Sequence, residues 1–259
     1  MTFNLRVDIP EDGKNSWAHR SKKAASVINK HRPLIVGTQE GLLRMIEDIE
    51  SELADYRWIG QGRRGGMSDE FCAIFYDHNE LEVLESGQFW LSVQPDVPNS
   101  ISWESDFPRV CTWGHFRFKK EPYNEFIHYN THLDHISQQA REHGIHLISK
   151  RLDELHQEKN LPVILTGDFN SEPDDPVIRF LQGDITLLGS TAKLNDSFSQ
   201  TDLNPGCTFH NFKGGNEGAP IDYIFTTPGV QVLKTEIDRS QIDGAYPSDH
   251  YPVISIMKW

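Results

Sequence analysis

Cysteine is scarce in this sequence, whose 259 residues include only Cys72, Cys111 and Cys207. Their number is odd and their spacing is wide, so they suggest neither a zinc-binding pair nor the framework of a disulfide-rich domain. We therefore expect reduced, buried thiols in a cytoplasmic protein.

Basic residues are also in deficit. The chain has 25 Lys and Arg against 38 Asp and Glu, which gives a formal net charge of −13. This balance disfavours an extended basic surface for nucleic acid, because such binding depends on cations that neutralise phosphates. An anionic substrate is not excluded, since a divalent cation held by carboxylates reverses the local field.

Long apolar runs and linkers are missing as well. No segment approaches the roughly 18 apolar residues that a membrane helix requires. The opening MTFNLRVDIPEDG lacks the basic and apolar segments of a secretory signal. Hydrophobic residues make up 37% and charged residues 24% of the chain, as in an ordinary globular protein. We expect one domain over residues 1–259, without a membrane span and acting as a monomer.

What the sequence does contain is an alternation of strand and helix patterns. Apolar residues at helical spacing predict helices at Trp17–Asn29, from Leu42 to Leu53, and at Ser137–His156. Apolar or alternating runs predict strands at Phe3–Val7, 33–38, 71–76, 81–92, Thr112–Lys119, Glu125–Thr131, 161–170, 221–226 and 252–257. The runs 71–76 and 81–92 are separated only by DHNE, which favours a hairpin.

One arrangement of these elements occurs twice. A strand, a helix and an apolar strand lead from Asn4 to Glu40, and the same order leads from His132 to Asp168. In both cases 36 positions separate the two polar residues. Apolar strands that end abruptly at polar residues are typical of a buried sheet with a functional site at its edge.

Polar side chains at other strand ends extend this pattern. Strand alternation places Asp168 and Asn170 on one face, although Gly167, Asp168 and Asn170 are also ordinary turn residues. Glu40 could instead be an acidic residue at the N-terminus of a helix, where the helix dipole favours negative charge. Near the end of the chain, YPSDHYPV presents Asp249 and His250, and Asp222 begins another strand, from which it could orient the His250 imidazole.

The segment NTHLDHI, residues 130–136, presents a choice between a metal cluster and one functional histidine. Alternation puts His128, Asn130 and His132 on one face of the strand. Only His132 lies where the strand ends, which favours a single functional histidine. Asp134 and His135 lie just beyond the strand. The sequence leaves open whether they support the functional residues or are ordinary polar residues at the start of the next helix.

The segments TQE, NTH, GDFN, IDYIF and SDHYPV, in this order, resemble the endonuclease/exonuclease/phosphatase superfamily. The resemblance extends from Asn4 to His250, and FNLRVD and PRVCTWGHF are most similar to a bacterial branch of poorly defined substrate. It implies a deoxyribonuclease I-like fold of the α/β class (α+β in some schemes). That fold is a four-layer α/β/β/α sandwich in which two packed mixed β-sheets are flanked by helices.

The resemblance also implies roles for individual residues. Glu40 matches the principal Mg²⁺ ligand, with Asn4 and Asp249 as its neighbours in the metal region. Asp168 matches the residue that positions or deprotonates the attacking water, and His250 the imidazole that faces the phosphate. Asn170 matches an amide that orients the phosphate, and His132 matches a histidine that donates to a phosphate oxygen. Asp222 matches the carboxylate that holds His250. Apurinic endonucleases have tyrosine at the position of His132, so cleavage of abasic DNA is disfavoured.

These residue types suit hydrolysis of a phosphodiester or phosphomonoester by in-line attack of an activated water, with Mg²⁺ or Mn²⁺ as cofactor. A small phosphoester or a nucleic acid fragment would be the substrate. The alternatives are a nuclease or deadenylase acting on single-stranded nucleic acid, an inactive binding module of the same fold, and a zinc hydrolase built from the histidines.

Weaker candidates lie on the connecting segments. Arg109 could clamp a phosphate or form a surface ion pair. The Gly-rich loop 61–70 could cover an anionic substrate, and Glu70 at its end resembles an acid near the site of the deadenylase branch. Substrate specificity is expected on the loops 61–70, 92–108 and 200–218.

Overall fold

Two six-stranded sheets pack face to face in the computed structural model, which describes residues 1–201 and 204–259. Helices cover the outer face of each sheet, and this arrangement confirms the expected four-layer sandwich. Both sheets are mixed: the first has the order β11-β12-β1-β2-β4-β3 and the second the order β5-β6-β7-β8-β10-β9. The strands are β1 Thr2–Asn4, β2 Ile35–Gln39, β3 Tyr56–Ile59, β4 Ile74–Asp77, β5 Leu81–Trp90, β6 Val110–Phe118, β7 Glu125–His132, β8 Val163–Asp168, β9 Asn195–Asp196, β10 Asp222–Thr226, β11 Gln231–Ile237 and β12 Val253–Lys258.

The helices divide between the two outer faces. α1 and α2 bury their apolar stripes against the first sheet, as Val27 and Ile46 do. α3 and α4 do the same on the second sheet through residues such as Ile148 and Val177. Their bounds are α1 Trp17–His31, α2 Leu43–Glu52, α3 Gln138–Lys159, α4 Pro176–Gln182 and the single turn α5 Ser197–Gln200. None of the helices among the described residues is long and apolar enough to span a membrane.

The twofold strand–helix–strand pattern is confirmed. β1 and β2 pair in parallel through α1, and β7 and β8 pair in parallel through α3. The register places Asn4 beside Gln39 and His132 beside Asp168. Each unit forms the middle of its own sheet, so the polar ends of both units meet at one edge of the sandwich.

The predicted hairpin between 71–76 and 81–92 is wrong. β4 lies between β2 and β3 in the first sheet, whereas β5 pairs with β6 in the second. Both edges of β4 are already hydrogen-bonded, so the DHNE segment crosses from one sheet to the other instead of turning back. A short connection between two apolar runs fits either geometry, and only long-range pairing distinguishes them.

Smaller differences concern strands with weak patterns. β3, β9 and β11 have no counterpart in the predicted strands, because they are short or largely polar edge strands. β1 ends at Asn4 instead of extending to Val7, since Arg6 adopts a left-handed conformation with φ of 57°. α3 continues three residues beyond the predicted end, to Lys159.

A polar layer lies between the two sheets. The side-chain amide of Asn130, on the inner face of β7, donates to the carbonyl oxygens of Thr38 and Ala73 in the first sheet. Gly37 on β2 leaves room for this contact, because a Cβ there would collide with the Asn130 and Thr166 side chains. These hydrogen bonds fix the offset of the sheets and therefore the relative position of their polar ends.

Candidate active site

Four of the predicted site residues lie at the ends of the central parallel strands. Asn4 and His132 end β1 and β7, Asp168 ends β8, and Glu40 follows β2 directly. All but Glu40 are buried, and Glu40 is only partly exposed. Parallel neighbours present their carboxyl ends at the same edge, which explains how residues 36 positions apart come together.

The chain turns sharply where these strands end. Arg6, Glu40 and Asn170 have φ values of 57°, 61° and 47°, in the left-handed region that side chains with a Cβ rarely adopt. Such conformations require support from the surrounding structure and are concentrated at functional sites. Here they direct the side chains of residues just past a strand into the cleft at the sheet edge.

Asn4 connects the two central carboxylates. Its Nδ2 donates to Glu40 Oε1 and to Asp168 Oδ2, both at 2.9 Å, while its Oδ1 accepts from the backbone N–H of Arg6. Glu40 Oε2 accepts from the backbone N–H of Val7 at 2.8 Å. Burial acts to raise the pKa of Glu40, but His250 together with the Val7 and Asn4 hydrogen bonds holds this pKa below its usual value. Glu40 is therefore an ionised carboxylate.

His250 is held by Asp222, as the sequence predicted. Its Nδ1 lies 2.9 Å from Asp222 Oδ2, and its Nε2 points toward Asp168 Oδ2 at 3.8 Å. Burial alone would lower the pKa of His250, but the Asp222, Asp168 and Asp249 carboxylates raise it to about 10. His250 is therefore an imidazolium whose Nε2–H is directed at the cleft.

Asp168 lies at the centre of this cluster and behaves differently from Glu40. Burial and the nearby Asp222 carboxylate raise the pKa of Asp168 to about 7, although His250 and two hydrogen bonds act in the opposite direction. A buried carboxyl with a pKa near neutrality is suited to accept a proton during catalysis.

His132 lies beside Asp168, with 3.6 Å between its Nε2 and Asp168 Oδ2. Burial, and next the positive charges of Arg109 and His250, hold the pKa of His132 well below its usual value. The imidazole is therefore neutral and can donate one N–H into the cleft.

Asn170 reaches the site by a turn, not by strand alternation. β8 has ended, and the backbone N–H of Asn170 donates to Asp168 Oδ1 while its Nδ2 donates to the Leu133 carbonyl. The prediction that strand alternation places Asn170 on the same face as Asp168 is wrong, because β8 ends at Asp168, and a left-handed turn brings the two residues together instead.

Asp249 and Arg6 occupy the adjoining part of the cleft. Arg6 Nε lies 3.7 Å from Asp249 Oδ2, and the same guanidinium forms two hydrogen bonds with Asp12. Burial raises the pKa of Asp249, while His250 and the two arginines near it act to lower it. Sequence reasoning missed Arg6, which stands only two positions after Asn4.

The donor set fits a divalent cation. Glu40, Asp168 and His250 each offer one ligand atom, and these atoms lie within 4.8 Å of one another. His250 is charged and already bonded to Asp222, so the ionised carboxylate of Glu40 is the ligand of choice, with Asp168 and Asp249 nearby. Carboxylate oxygens suit Mg²⁺ or Mn²⁺ better than softer metals. We call Glu40, Asp168, Asp249 and His250 the acidic group.

Arg109 is buried and faces the cleft, so it does not form a surface ion pair. Its Nε lies 3.5 Å from Asp134 Oδ2, and its Nη2 lies 3.0 Å from His135 Nδ1. Asp134 Oδ1 also accepts from the backbone N–H groups of Ile136 and Ser137 at the start of α3. Asp134 thus combines both roles left open by the sequence, because it fixes the turn that leads into α3 and holds Arg109. The helix itself is capped by Ser137, whose Oγ accepts from the Ala140 N–H.

The cleft has a volume of about 370 Å³, within the range of sites that bind small ligands. Loop 61–70 contributes Arg63 and Glu70 to its lining. Loop 200–218 contributes Phe209, whose ring is 44% exposed and lies 5.0 Å from that of His250. Residues 202 and 203 of that loop lie outside the described part of the chain.

Known proteins resemble this chain in sequence and in fold. A sequence model of the Endonuclease/Exonuclease/phosphatase family matches residues 1–250. Among solved structures, a mannosyl-6-phosphatase from Bacteroides thetaiotaomicron superposes with a TM-score of 0.90 at 34% sequence identity, covering 100% of this chain and 98% of that one.

Two curated proteins of Drosophila melanogaster are also similar. Protein angel is 27% identical over 239 residues, and Nocturnin is 24% identical over 297 residues. The alignments cover 87% and 96% of this chain but 63% and 43% of those proteins. The chain therefore spans less than two thirds of the length of either relative.

Proposed function

The chain belongs to the Endonuclease/Exonuclease/phosphatase family, whose members hydrolyse phosphoester bonds, and on this premise we propose that it is a divalent-metal-dependent phosphomonoesterase for a small substrate. One observation carries the proposal: a cluster of the buried Asp168, Asp222 and His250 with the partly exposed Glu40 opens into a cleft of small-molecule size. The similar mannosyl-6-phosphatase supports a phosphomonoester over a diester.

The metal site would be formed by Glu40, with Asn4 and Asp249 as its neighbours, and Asp168 on the other side of Asn4 would stay free to act on the water. When bound, Mg²⁺ or Mn²⁺ would neutralise negative charge that develops on the phosphoryl oxygens. Asn4 maintains the spacing of Glu40 and Asp168 through its two hydrogen bonds.

Asp168 would orient the attacking water and accept its proton, since its pKa of about 7 makes it a competent base near neutral pH. His250, with a pKa of about 10, stays charged and donates its Nε2–H to a phosphoryl oxygen. Asp222 keeps this proton arrangement because its carboxylate accepts from Nδ1. His132 and Asn170 would complete the phosphate contacts as neutral donors.

A second candidate is a nuclease or deadenylase that acts on single-stranded nucleic acid. The exposed ring of Phe209 beside His250 favours it, because aromatic faces stack on bases. The net charge of −13 opposes it.

A phosphoester panel assayed with Mg²⁺, with Mn²⁺ and with EDTA tests the proposal. The panel contains 4-nitrophenyl phosphate, a bis-aryl phosphodiester, sugar phosphates, single-stranded RNA and abasic DNA. We expect metal-dependent phosphate release from monoesters and loss of at least about 10²-fold in activity in the Asp168→Ala variant. Preferential cleavage of RNA would favour the second candidate, and a folded protein inactive on every ester would indicate a binding module.

The setting of this enzyme is part of the same proposal. Cys72, Cys111 and Cys207 are free and buried, which suits a reducing compartment such as the cytoplasm. We propose that the protein acts there as a single-domain monomer.

A further inference from the structure

A second group of polar side chains lines the same cleft as the acidic group. It consists of Arg63, Glu70, Arg109 and His135, which we call the polar wall. The catalytic roles proposed above use none of these four residues. Their geometry therefore bears on how the rest of the substrate is recognised.

Arg63 and Glu70 form a rigid pair. Arg63 Nη1 and Nη2 approach the two Glu70 oxygens at 3.0 and 2.9 Å, and Arg63 Nε donates to Asp69 Oδ1 at 2.9 Å. The guanidinium lies 4.4 Å from the centre of the Phe107 ring. A two-pronged pair of this kind holds the carboxylate plane in a fixed orientation, which leaves lone pairs on both Glu70 oxygens for a ligand.

Arg109 orients the ring of His135. A guanidinium can only donate, so the 3.0 Å contact from Arg109 Nη2 requires an acceptor at His135 Nδ1. Nδ1 is therefore the nitrogen that accepts, and the ring N–H lies on Nε2. Nε2 is 4.0 Å from Asp106 Oδ2, beyond hydrogen-bond distance, and the side chain is 45% exposed, so this N–H can also reach a ligand in the cleft.

The charges of the polar wall are already balanced within the protein. Arg63 faces the carboxylates of Asp69 and Glu70, and Arg109 lies beside that of Asp134. No surplus positive charge is left to compensate a second anionic group on the substrate. A second phosphate would instead approach the side-chain oxygens of Glu70, whose pKa burial raises to about 7, and would meet no unpaired cation there.

Hydroxyl groups match this surface better. A hydroxyl both donates and accepts, so one can donate to Glu70 while another accepts from His135 or from an arginine N–H. We propose that the polar wall binds the hydroxyl groups of a sugar or cyclitol monophosphate and selects against a second phosphate. The inference rests on the proposed phosphomonoesterase function, because it assumes that the phosphate occupies the acidic group.

The test compares kcat/KM for hexose 6-phosphate, inositol monophosphate, hexose 1,6-bisphosphate and 4-nitrophenyl phosphate. For the unmodified protein we expect the better of the two polyol monophosphates to exceed the bisphosphate by about tenfold or more. In Glu70→Gln we expect the ratio of polyol phosphate to aryl phosphate to fall about tenfold, as for loss of one hydrogen bond to a charged group. Glu47→Gln, the same change on the exposed face of α2, should leave this ratio unaltered.

A second variant tests the proposal without disturbing the Arg63–Glu70 pair, whose loss could unfold the protein. His135→Phe keeps a planar ring at a half-exposed position but removes the Nε2–H, and we expect it to lower the same ratio several-fold. Equal losses on both ester types in the two variants would overturn the inference, because they would indicate a catalytic or purely structural role. A bisphosphate hydrolysed as well as the monophosphates would also overturn it, even if aryl phosphate hydrolysis confirms the proposed function. Failure to hydrolyse any ester would overturn both.

Discussion

The acidic group and the polar wall line one cleft, yet their charges are arranged in opposite ways. In the acidic group, three carboxylates are buried or nearly so around a single imidazolium. The consequence is visible in the pKa of Asp168, which burial raises to about 7. In the polar wall, each guanidinium lies beside at least one carboxylate, and Arg63 forms a two-pronged pair.

This difference indicates that the acidic group, and not the polar wall, requires a bound ion for charge balance. Buried carboxylates without sufficient cations destabilise a protein until a metal ion compensates them, so their retention points to function. Internally paired charges need no ligand and instead hold the cleft in shape. Changes to the two sides should therefore affect different quantities, namely reaction rate on one side and stability or specificity on the other.

The largest effect is expected for His250→Ala. Loss of the charged donor to the phosphoryl oxygen should lower kcat/KM by about 10²–10⁴-fold, as is usual for groups of this kind. Steady-state kinetics on the best monoester of the panel would measure it. A loss smaller than about tenfold would contradict the assignment of His250 to the reaction.

On the polar wall, Arg63→Gln should mainly affect stability. It leaves Glu70, whose side chain is 16% exposed, without its partner, at a cost of about 3 kcal/mol in the free energy of unfolding. Urea denaturation would show this loss. The matched control is Arg64→Gln, whose side chain is 44% exposed and should change the free energy by at most about 1 kcal/mol. Equal effects of the two variants would remove the distinction between a structural wall and an ordinary surface.

Asp222→Asn tests the connection that keeps His250 charged. Asp222 is the largest of the causes that raise the pKa of His250 to about 10, so its neutralisation lowers this pKa. The alkaline limb of the pH–rate profile should therefore move to lower pH, with a loss of about 10–100-fold in kcat/KM. Profiles of both proteins over the same pH range would show the shift, and superimposable profiles would exclude a role for this pair.

The smallest effect has the opposite sign. The pKa of Asp168 is raised from 3.8 to about 7 in the folded state, so its ionisation between those pH values destabilises the fold. In EDTA, Asp168→Asn should therefore become more stable than the unmodified protein as the pH rises from about 4 to about 7, reaching about 1–3 kcal/mol. Urea denaturation across this range measures the difference, with the exposed Asp243→Asn as control. If Asp168→Asn were less stable than the unmodified protein at pH 7, the negative charge of the acidic group would already be compensated within the protein.

Much of the acidic group could be predicted because its signals are local. Glu40 and Asp168 each stand at the end of an apolar strand, and the two units repeat the same order of elements. To predict that Asp222 pairs with His250, it was enough to assume that the start of one strand lies near the start of another. The left-handed turns at Glu40 and Asn170 were not predictable in this way, since neither residue type announces such a conformation.

The polar wall could be predicted only in fragments. The sequence identifies several of its members as separate candidates, namely Arg109, Asp134, His135, Glu70 and loop 61–70. Nothing in their order along the chain shows which of these side chains contact each other. Arg109 lies 26 positions from His135, and the two are joined because β6 and β7 are antiparallel neighbours in one sheet. The failed hairpin has the same cause, because strand partners depend on contacts that are distant in sequence.

The sequence by itself determined the repeated strand–helix–strand units and the chemistry at their ends, because apolar periodicity and chain direction are local properties. The tertiary structure decided how the two sheets are offset, which charges are paired, and hence which carboxylates lack compensation. These depend on burial and on distances of a few ångströms between residues far apart in the chain, such as Asn4 and Asp168. Electrostatic energy varies steeply with both, so the division of the cleft into an acidic group and a polar wall appears only once the chain is folded.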